Sequence, residues 1–382
     1  MTRARWSVGL MTGTALDGHV DVALLETDGR EVRRFGPWAL VAYPARVREL
    51  LGRAVDAARR WGFEGEEPPA LAEAERALTD AQARAVRRVL DEHGVRASEV
   101  RTVGFHGQTV LHRAPTRRAP GRTRQLGDGR RLAESLGIDV VNDFRSRDVA
   151  AGGQGAPLAP LYHRALLERV GAAPGTVFLN LGGVANLTCV DGDDLIGFDT
   201  GPANAPIDDW ARRHTGEPMD RDGRLAAVGR VDEARLGALL GHPYLDAPWP
   251  KSLDRFDFGA SMADGLGPAD GARTLAAFSA AAVARALERL PVRATGLVVA
   301  GGGRRNPVLM DELRRRTGLP ATDADALGLR GDAIEAECFA HLAERARRAL
   351  PISFPSTTGV AGPTTGGTLW RAARGRDAGG RA

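Results

Sequence analysis

Short apolar runs alternate with glycine turns and long amphipathic stretches along this chain. Apolar runs at 7–11 and 20–26 flank a turn at 12–18 and predict a β-hairpin. Residues 46–93, rich in Ala, Arg, Glu and Leu, predict a helical region that breaks near 62–69. Further along, the pattern predicts a strand at 101–105, a polar Pro- and Arg-rich loop at 113–124, a short helix at 130–136 and a strand at 138–142.

A similar order of strand and turn recurs in the second half. After a glycine-rich segment, the pattern predicts strands at 177–180, 186–190 and 195–198. We interpret this recurrence as a weak internal duplication. Helices then dominate, and they are predicted at 204–215, 231–240, 269–290, 306–316 and 333–349, with one strand at 296–300. The pattern therefore predicts an α/β protein with two similar halves around a central cleft.

Composition sets broad limits on the class of protein. The chain has 382 residues, 43% hydrophobic and 26% charged, which suits a globular protein with two cores. No apolar run approaches the roughly 20 residues of a membrane helix, and the first apolar stretch breaks at Gly13. We therefore expect a cytoplasmic enzyme that does not bind a membrane. Cys189 and Cys338 lie in apolar surroundings and are expected to be buried hydrophobic residues.

The net charge of +4 is carried almost entirely by arginine, since Lys251 is the single lysine among 52 basic residues. The densest arginine patch, at 113–131, lacks interleaved aromatic residues, so no nucleic-acid partner is expected. The lysine shortage also disfavours a P-loop and a protein-kinase fold, because each needs a lysine that contacts phosphates. Lys251 itself follows Pro250, with no glycine loop before it.

Three glycine turns, each after a candidate strand, resemble a nucleotide clamp. They are MTGTALDG at 11–18, FDTGP at 198–202 and GGGRRN at 301–306. Glycine allows backbone N–H groups to approach a phosphate or base closely. We expect Gly302 to need a positive φ and to lie close to the nucleotide.

Three side chains at strand ends are candidates for chemistry. Asp17 and Asp199 each lie near glycine, where a carboxylate could hold magnesium-bound water or act as a base. Asp-Gly pairs more often only form turns, but Asp199 follows a buried strand and precedes a helix. His106 has no accompanying Ser or Cys nucleophile motif, so ligand contact and a purely structural role stay open.

The order of these motifs resembles the anhydro-N-acetylmuramic acid kinase family, over about residues 7–370. The resemblance rests on GLMTGTALDG at 9–18, GFHGQT at 104–109, NDFR at 142–145, GGQGAPL at 152–158, NLGGVAN at 180–186, DTGP at 199–202, PKS at 250–252, GGGRRN at 301–306 and PSTTG at 355–359.

The resemblance implies two RNase H-like (actin-like ATPase) domains flanking a central cleft. The first would span 1–145 and the second 146–370, with a C-terminal segment that could cross back to the first and a frayed tail at 371–382. It implies ATP and Mg²⁺ as cofactors and a homodimer. The reaction would hydrolytically open 1,6-anhydro-N-acetylmuramic acid and phosphorylate O6, giving N-acetylmuramic acid 6-phosphate and ADP in cell-wall recycling.

The resemblance also implies roles for individual residues. Asp199 matches the catalytic base. The matching substrate-side positions are His106, Gly107, Gln108, Thr109, Arg145 and, less directly, the acidic Glu335. The matching nucleotide positions are Gly13, Thr14, Ala15, Leu16, Asp17, Gly18, Gly182, Gly183, Gly301, Gly302, Gly303 and Asn306. The residues that hold the Mg²⁺ waters are not identified by it.

The chain departs from the family pattern at four places. Ala15 replaces the usual serine, His19 is an additional residue, Ala203 replaces a glycine, and 253–256 replace T-G-R-E.

Two alternative functions stay open at this point. One is another sugar or acid kinase of the same superfamily, and the other is an actin-like or chaperone-like ATPase module.

Overall fold

The computed structural model describes residues 5–12, 18–116, 119–253 and 257–373. Its strands are β1 (Trp6–Met11), β2 (His19–Thr27), β3 (Val32–Ala42), β4 (Val100–Phe105), β5 (Gln108–Arg113), β6 (Arg122–Leu126), β7 (Val140–Asn142), β8 (Thr176–Leu181), β9 (Val184–Asp191), β10 (Asp194–Pro202), β11 (Gly296–Ala300), β12 (Ala321–Asp323) and β13 (Thr368–Trp370). Its α-helices are α1 (Ala45–Trp61), α2 (Pro69–Glu92), α3 (Gly129–Leu136), α4 (Ser146–Ala150), α5 (Pro160–Arg169), α6 (Asn204–Thr215), α7 (Arg224–Ala227), α8 (Glu233–Leu240), α9 (Pro243–Asp246), α10 (Pro268–Glu288), α11 (Pro307–Thr317) and α12 (Ile334–Arg347).

The chain groups into two compact units. The first holds the residues up to Gly155, then Glu335–Phe354 and the residues from Val360 onward. The second holds Ala156–Ile334 and Pro355–Gly359. This grouping differs from the predicted ranges 1–145 and 146–370, because 146–155, nearly all of α12 and the residues from Val360 onward group with the first unit. Of the predicted frayed tail, 374–382 lie outside the described residues, whereas Arg371 and Ala372 both bind Asp139.

The first unit is built on a six-stranded sheet of order β13-β7-β4-β1-β2-β3. Strands β1, β4 and β7 run parallel to one another, and β2 is antiparallel to both β1 and β3. Helices α1 and α2 contribute buried apolar side chains to one core with β1 and β2, including Leu51, Leu71, Val8 and Leu24.

The second unit repeats this arrangement in a five-stranded sheet of order β10-β9-β8-β11-β12. Here β8, β11 and β12 are parallel, and β9 is antiparallel to β8 and β10. Counted within each sheet, five strands follow the order 3-2-1-4-5 with the second strand antiparallel, and β13 is a sixth strand at the edge of the first sheet. This is the RNase H-like arrangement, so the predicted fold class of two RNase H-like domains and the predicted duplication are confirmed.

Strand β3 and the segment 113–124 are two of the places where the structure differs from the elements that the sequence pattern predicts. Strand β3 was not predicted, because its Arg33-Arg34 and Gly36-Pro37 pairs interrupt the apolar alternation. The predicted polar loop at 113–124 has strand residues at its two ends, where Arg113 pairs with Arg122 in the β5–β6 hairpin. Backbone pairing sets both strands despite their polar side chains.

Helix α12 lies with its backbone directly against two strands of the first sheet. A Cβ added at Gly9 of β1 would collide with the carbonyl of Ala336, and one added at Gly104 of β4 would collide with the carbonyl of Phe339. The helix can approach this closely only because both strand positions lack a side chain.

A buried carboxylate anchors the far end of the same helix. Glu344 is fully buried and accepts a hydrogen bond from Ser7 of β1 at 3.0 Å. Its other oxygen lies 3.3 Å from Arg101 of β4 and 3.5 Å from Arg347. Because a buried charge is costly unless paired, Ser7 and Arg101 fix α12 over β1 and β4 through Glu344, and Arg347 of the same helix adds a second cation.

Three histidines are buried in the two units. The ring of His163 hydrogen-bonds Thr188 at 2.8 Å, and that of His341 hydrogen-bonds Thr27 at 2.9 Å. Burial lowers the pKa of His106, His163 and His341 to about 3 in each case. All three rings are therefore neutral at physiological pH.

We expect Gly104→Ala to destabilise the first unit by about 1–3 kcal/mol, as overpacking of a tight interior does. The added methyl group must displace the backbone of α12 rather than a flexible side chain. Urea unfolding measures the loss. Gly52→Ala is the matched control, since Gly52 lies in α1 with nothing within 4 Å of an added Cβ. The control should be slightly stabilising, and equal stability of the two variants would contradict this packing.

The buried histidines predict a loss of stability in mild acid. The unfolded chain binds protons below about pH 6.5, whereas the folded rings resist protonation down to about pH 3. The contribution of these neutral rings to the free energy of unfolding is therefore complete above pH 6.5 and declines as the pH falls toward 3. Between pH 7 and pH 5 we expect a loss of up to about 2 kcal/mol per histidine. Urea unfolding at both pH values measures it, and an imidazole NMR titration midpoint near pH 6.5 would refute it.

Candidate active site

The candidate base Asp199 lies near the end of β10, next to an irregularity in the β9–β10 pairing. Asp199 pairs with Asn186, Gly201 pairs with Ala185, and the register shifts between them at Thr200. Such bulges redirect side chains at the ends of strands. Asp199 is only 8% exposed, so this sheet end presents a nearly buried carboxylate.

Backbone and hydroxyl groups hold Asp199 on three sides. Its N–H donates to the carbonyl of Lys251 at 3.1 Å, and its own carbonyl accepts from the Tyr244 hydroxyl at 2.7 Å. The N–H of Leu253 donates to Oδ2 of its carboxylate at 2.8 Å. The first two bonds hold the backbone of Asp199, and the Leu253 N–H fixes the direction of its carboxylate, as a general base requires.

Sequence reasoning did not assign a role to Tyr244 or Lys251. Burial and the charge of Asp199 raise the pKa of Tyr244, so its hydroxyl stays protonated and can donate. The Lys251 ammonium donates to the carbonyl oxygens of Tyr244 and Leu245 at 2.9 and 3.1 Å. The one available signal was that Lys251 is the single lysine, in a Pro-Lys-Ser motif.

The predicted nucleotide turn at Gly182 and Gly183 joins β8 to β9 and receives the start of α6. The N–H of Asn204 donates to Gly182 O at 2.9 Å, and the N–H of Ala203 donates to Gly183 O at 3.0 Å. The Asn204 amide also donates to the carbonyl of Leu181 at 3.0 Å. The helix start and the glycine turn are thereby locked together.

The second predicted nucleotide turn, Gly301–Gly303, lies beside the first. A Cβ at Gly301 would come within 2.6 Å of Leu181 O, and one at Gly303 within 2.6 Å of Leu181 Cβ. The expectation of a positive φ at Gly302 is wrong, because Gly301 carries it, at 78°. A Cβ at Gly302 would meet only Asn204 Nδ2, at 3.7 Å. The Gly302 position therefore has room beside it.

Asn306, also predicted on the nucleotide side, caps a helix. Its Oδ1 accepts from the N–H groups of Val308 and Leu309, at 3.1 and 3.2 Å, at the start of α11. The neighbouring Arg304, with a side chain 1% exposed, donates to the carbonyl of Gly301 at 3.0 Å. It also pairs with three carboxylates, those of Asp323, Asp325 and Asp332. Both residues hold the glycine turn in place.

In the first unit, His106 and Arg145 form one hydrogen-bonded group. His106 Nδ1 lies 2.8 Å from Gly107 O, an acceptor, so Nδ1 carries the proton. His106 Nε2 therefore accepts from Nε and Nη2 of Arg145, at 3.2 and 3.1 Å. Arg145 Nη1 donates to Gly155 O at 2.6 Å. Burial and the Arg145 charge lower the pKa of His106, so it orients the guanidinium as a neutral acceptor.

The remaining sugar-side candidates continue from this group into β5. Gly107 has φ of 73°, and a Cβ there would collide with the Leu126 carbonyl. Gln108 is 1% exposed, and its Oε1 is buried without a hydrogen-bond partner. Thr109 is half-buried, and its hydroxyl accepts from the Gln125 amide at 3.3 Å. A buried amide oxygen without a donor is costly, so Gln108 suits contact with a ligand hydroxyl or amide.

Glu335 is exposed in the first turn of α12. The same helix reaches the His106 group, since the rings of His106 and Phe339 lie 4.6 Å apart. Burial and the charge of Glu335 raise the pKa of Cys338, while Arg145 opposes that effect. His106, Arg145 and the first turns of α12 therefore lie in one region of the first unit.

Residues 13–17 of the predicted phosphate loop lie outside the described residues: Gly13, Thr14, Ala15, Leu16 and Asp17. Tyr43 holds both of the loop's neighbours. Its hydroxyl lies 2.7 Å from the Thr12 hydroxyl, and its N–H donates to Gly18 O at 2.7 Å. Gly18 has φ of 84°, which glycine adopts without strain.

The departures from the family pattern are accommodated where the structure describes them. The β1–β2 register runs without a shift from Ser7↔Leu25 to Met11↔Asp21, despite the additional His19. Ala203 has a negative φ of −127°, outside the left-handed region that favours glycine. Leu253 reaches Asp199 through its backbone, which any replacement residue except proline also provides.

Among the residues that the structure describes, no group of three His, Cys, Asp or Glu side chains is arranged to hold a metal ion. No helix among them is long and apolar enough to cross a membrane.

The chain matches one family over nearly its whole length. The sequence model of anhydro-N-acetylmuramic acid kinase matches residues 5–372. The anhydro-N-acetylmuramic acid kinase of Brucella anthropi is 58% identical over 365 residues, which cover 95% of this chain and 98% of the relative. That of Rhizobium rhizogenes is 57% identical with the same coverage, and that of Caulobacter vibrioides is 50% identical over 95% of this chain and 98% of its own. The chain therefore belongs to the anhydro-N-acetylmuramic acid kinase family.

Proposed function

We propose that this protein uses ATP and water to convert 1,6-anhydro-N-acetylmuramic acid into N-acetylmuramic acid 6-phosphate and ADP, in recycling of the cell wall. The observation that carries the proposal is Asp199, a nearly buried residue at the end of β10 with two contacts that hold its backbone and one that orients its carboxylate. Family membership over residues 5–372 supplies the substrate class.

Asp199 acts as the general base in this proposal. Its carboxylate takes a proton from the water that attacks the anomeric carbon, the 1,6-anhydro bond breaks, and O6 becomes the acceptor of the γ-phosphoryl group. The Leu253 N–H on Oδ2 keeps the carboxylate in one orientation while the proton moves. General bases of this kind contribute about 10²- to 10⁴-fold to the rate.

The two glycine turns of the second unit fit a nucleotide. Gly182 and Gly183 carry no side chain, and the space beside Gly302 admits a group close to the backbone. ATP, bound with Mg²⁺, supplies the phosphoryl group and the charge that stabilises its transfer. With Asp199 as the base, Asp17 of the sequence-predicted phosphate loop is the candidate carboxylate for the Mg²⁺ waters, because Mg²⁺ usually keeps several waters and few protein ligands.

The His106–Arg145 group and Gln108 bind the amino sugar in this proposal. The guanidinium, oriented by His106 Nε2, supplies N–H donors and positive charge for the acidic lactyl group of the sugar. The buried Oε1 of Gln108 accepts from a sugar N–H or hydroxyl. Glu335 in the first turn of α12 contributes to the substrate or water side.

The cellular location, oligomeric state and partners of the enzyme are part of the same proposal. It works in the cytoplasm as a homodimer, on small molecules and without nucleic acid or membrane partners. Of the two alternatives from the sequence, family membership disfavours both the other sugar or acid kinases and the ATPase module. An ADP-release assay with the anhydro sugar, against N-acetylmuramic acid and glucose, tests the choice directly.

Asp199→Asn is expected to lower turnover by about 10²- to 10⁴-fold, because a neutral amide cannot take the proton of water. Nucleotide affinity and the melting temperature should stay close to those of the parent, since the amide oxygen still accepts from Leu253. Asp194→Asn, at the exposed start of β10, is the matched control and should keep full turnover. Turnover of Asp199→Asn within a few-fold of the parent would remove Asp199 from this role.

Gly302→Val is expected to weaken ATP binding by at least about tenfold while the protein stays folded. The protein itself has room for a side chain there, so the valine crowds the nucleotide instead. Calorimetric titration with a non-hydrolysable ATP analogue measures the affinity. Gly237→Val in α8, where an added Cβ meets nothing within 4 Å, is the control. An unchanged affinity in folded Gly302→Val would place the nucleotide elsewhere.

A further inference from the structure

Lys251 is exceptional in this chain because it is the single lysine. Of the 52 Lys and Arg residues in this chain, only Lys251 is a lysine. A sequence that uses arginine at every other basic position uses lysine at this one, which is 7% exposed. The position therefore calls for a property that arginine lacks, such as a compact charge on a flexible stem.

The surroundings of the Lys251 ammonium match such a compact charge. It donates to the carbonyl oxygens of Tyr244 and Leu245 in α9, at 2.9 and 3.1 Å. It also lies 4.5 Å from the centre of the Tyr244 ring and 5.6 Å from that of Phe198. Two carbonyl oxygens and two aromatic rings thus surround the compact ammonium group of Lys251. A guanidinium carries five N–H donors in a rigid fork, more than these two carbonyl oxygens accept.

Two partners of the ammonium, Tyr244 and Phe198, connect directly to Asp199. Tyr244, whose carbonyl the ammonium binds, donates its hydroxyl to the Asp199 carbonyl at 2.7 Å. Phe198 is the neighbour of Asp199 in β10. The Lys251 carbonyl accepts the Asp199 N–H at 3.1 Å, and Leu253, two residues further, donates to the carboxylate at 2.8 Å.

We propose that Lys251 is the positioning residue of Asp199, holding Tyr244 and the segment 251–253 in the arrangement that aims the carboxylate. The lysine does not touch a reacting atom in this proposal, because its ammonium binds α9 and the two rings. The proposal rests on the proposed role of Asp199 as the base.

The charges around Lys251 add a pH dependence. Burial lowers its pKa to about 8, and Arg289 and Arg285 lower it as well, while Asp246 and Asp199 raise it. Below pH 8 the ammonium carries the charge that strengthens its bonds to both carbonyls. Above pH 8 that charge is lost, so the turnover number of the parent enzyme should decline on the alkaline side.

Lys251→Met tests the proposal, because it keeps the apolar stem and removes the charge and the donors. We expect kcat to fall about 10- to 100-fold, as a small misplacement of a catalytic group does, with KM for ATP and for the sugar within about threefold of the parent. The alkaline decline near pH 8 should disappear from the remaining activity. A structural lysine would lower the melting temperature only, and kcat of the folded fraction would be unchanged.

Two further variants keep the test decisive. Arg289→Met is the matched control, since Arg289 donates to the next carbonyl of the same helix, that of Asp246, at 2.9 Å. It should leave kcat within about twofold. Tyr244→Phe removes only the hydroxyl bond to Asp199, and its effect on kcat should be less than additive with that of Lys251→Met. If Lys251→Met does not fold, the Tyr244→Phe variant and its pH profile decide the question.

The outcomes separate this proposal from the proposed function. Activity of the parent on the anhydro sugar, lost in Asp199→Asn but kept in folded Lys251→Met, would overturn the positioning role alone. Full activity of Asp199→Asn would overturn the role of Asp199 as the general base, on which the positioning role of Lys251 rests. A parallel loss of kcat in Lys251→Met and Tyr244→Phe, with both KM values unchanged, would support it.

Discussion

Close approach of backbone to backbone is the constraint on which both units depend. Helix α12 can lie on β1 and β4 only because Gly9 and Gly104 have no Cβ, and the turn at Gly301 can lie against Leu181 for the same reason. Backbone groups brought this close leave no space for water, so their geometry is fixed by van der Waals contact. Gly301, which the sequence predicted on the nucleotide side, therefore also serves packing.

Buried charges stabilise these close approaches. Glu344 ties α12 to Ser7 and Arg101, and Arg304 ties the Gly301 turn to three carboxylates. Each group is costly to bury alone, so the partners specify one arrangement rather than simply adding stability. Lys251, beside Asp199, is likewise a buried charge with fixed partners, but those partners are carbonyl oxygens instead of carboxylates.

Asp199 and Arg145, two candidate functional residues, are held in place by different kinds of contact. Asp199 is oriented by backbone N–H and carbonyl groups and one tyrosine hydroxyl, so its position follows from the fold of its own unit. Arg145 is oriented by a neutral histidine, whose tautomer is set by the Gly107 carbonyl. Neither arrangement needs a ligand to form, and preorganisation of this kind lowers the cost of reaching the transition state.

The sequence alone determined the α/β class, the duplicated halves, the family and Asp199 at a strand end, because hydrophobic period and glycine spacing are local signals. Helix α6 was predicted with the bounds that the structure has, 204–215. Tertiary structure decided that α12 packs on the first sheet, that Gly301 rather than Gly302 has a positive φ, and that Asn306 is a helix cap. It also decided the partners of Lys251, since contacts between residues distant along the chain depend on packing that no local pattern encodes.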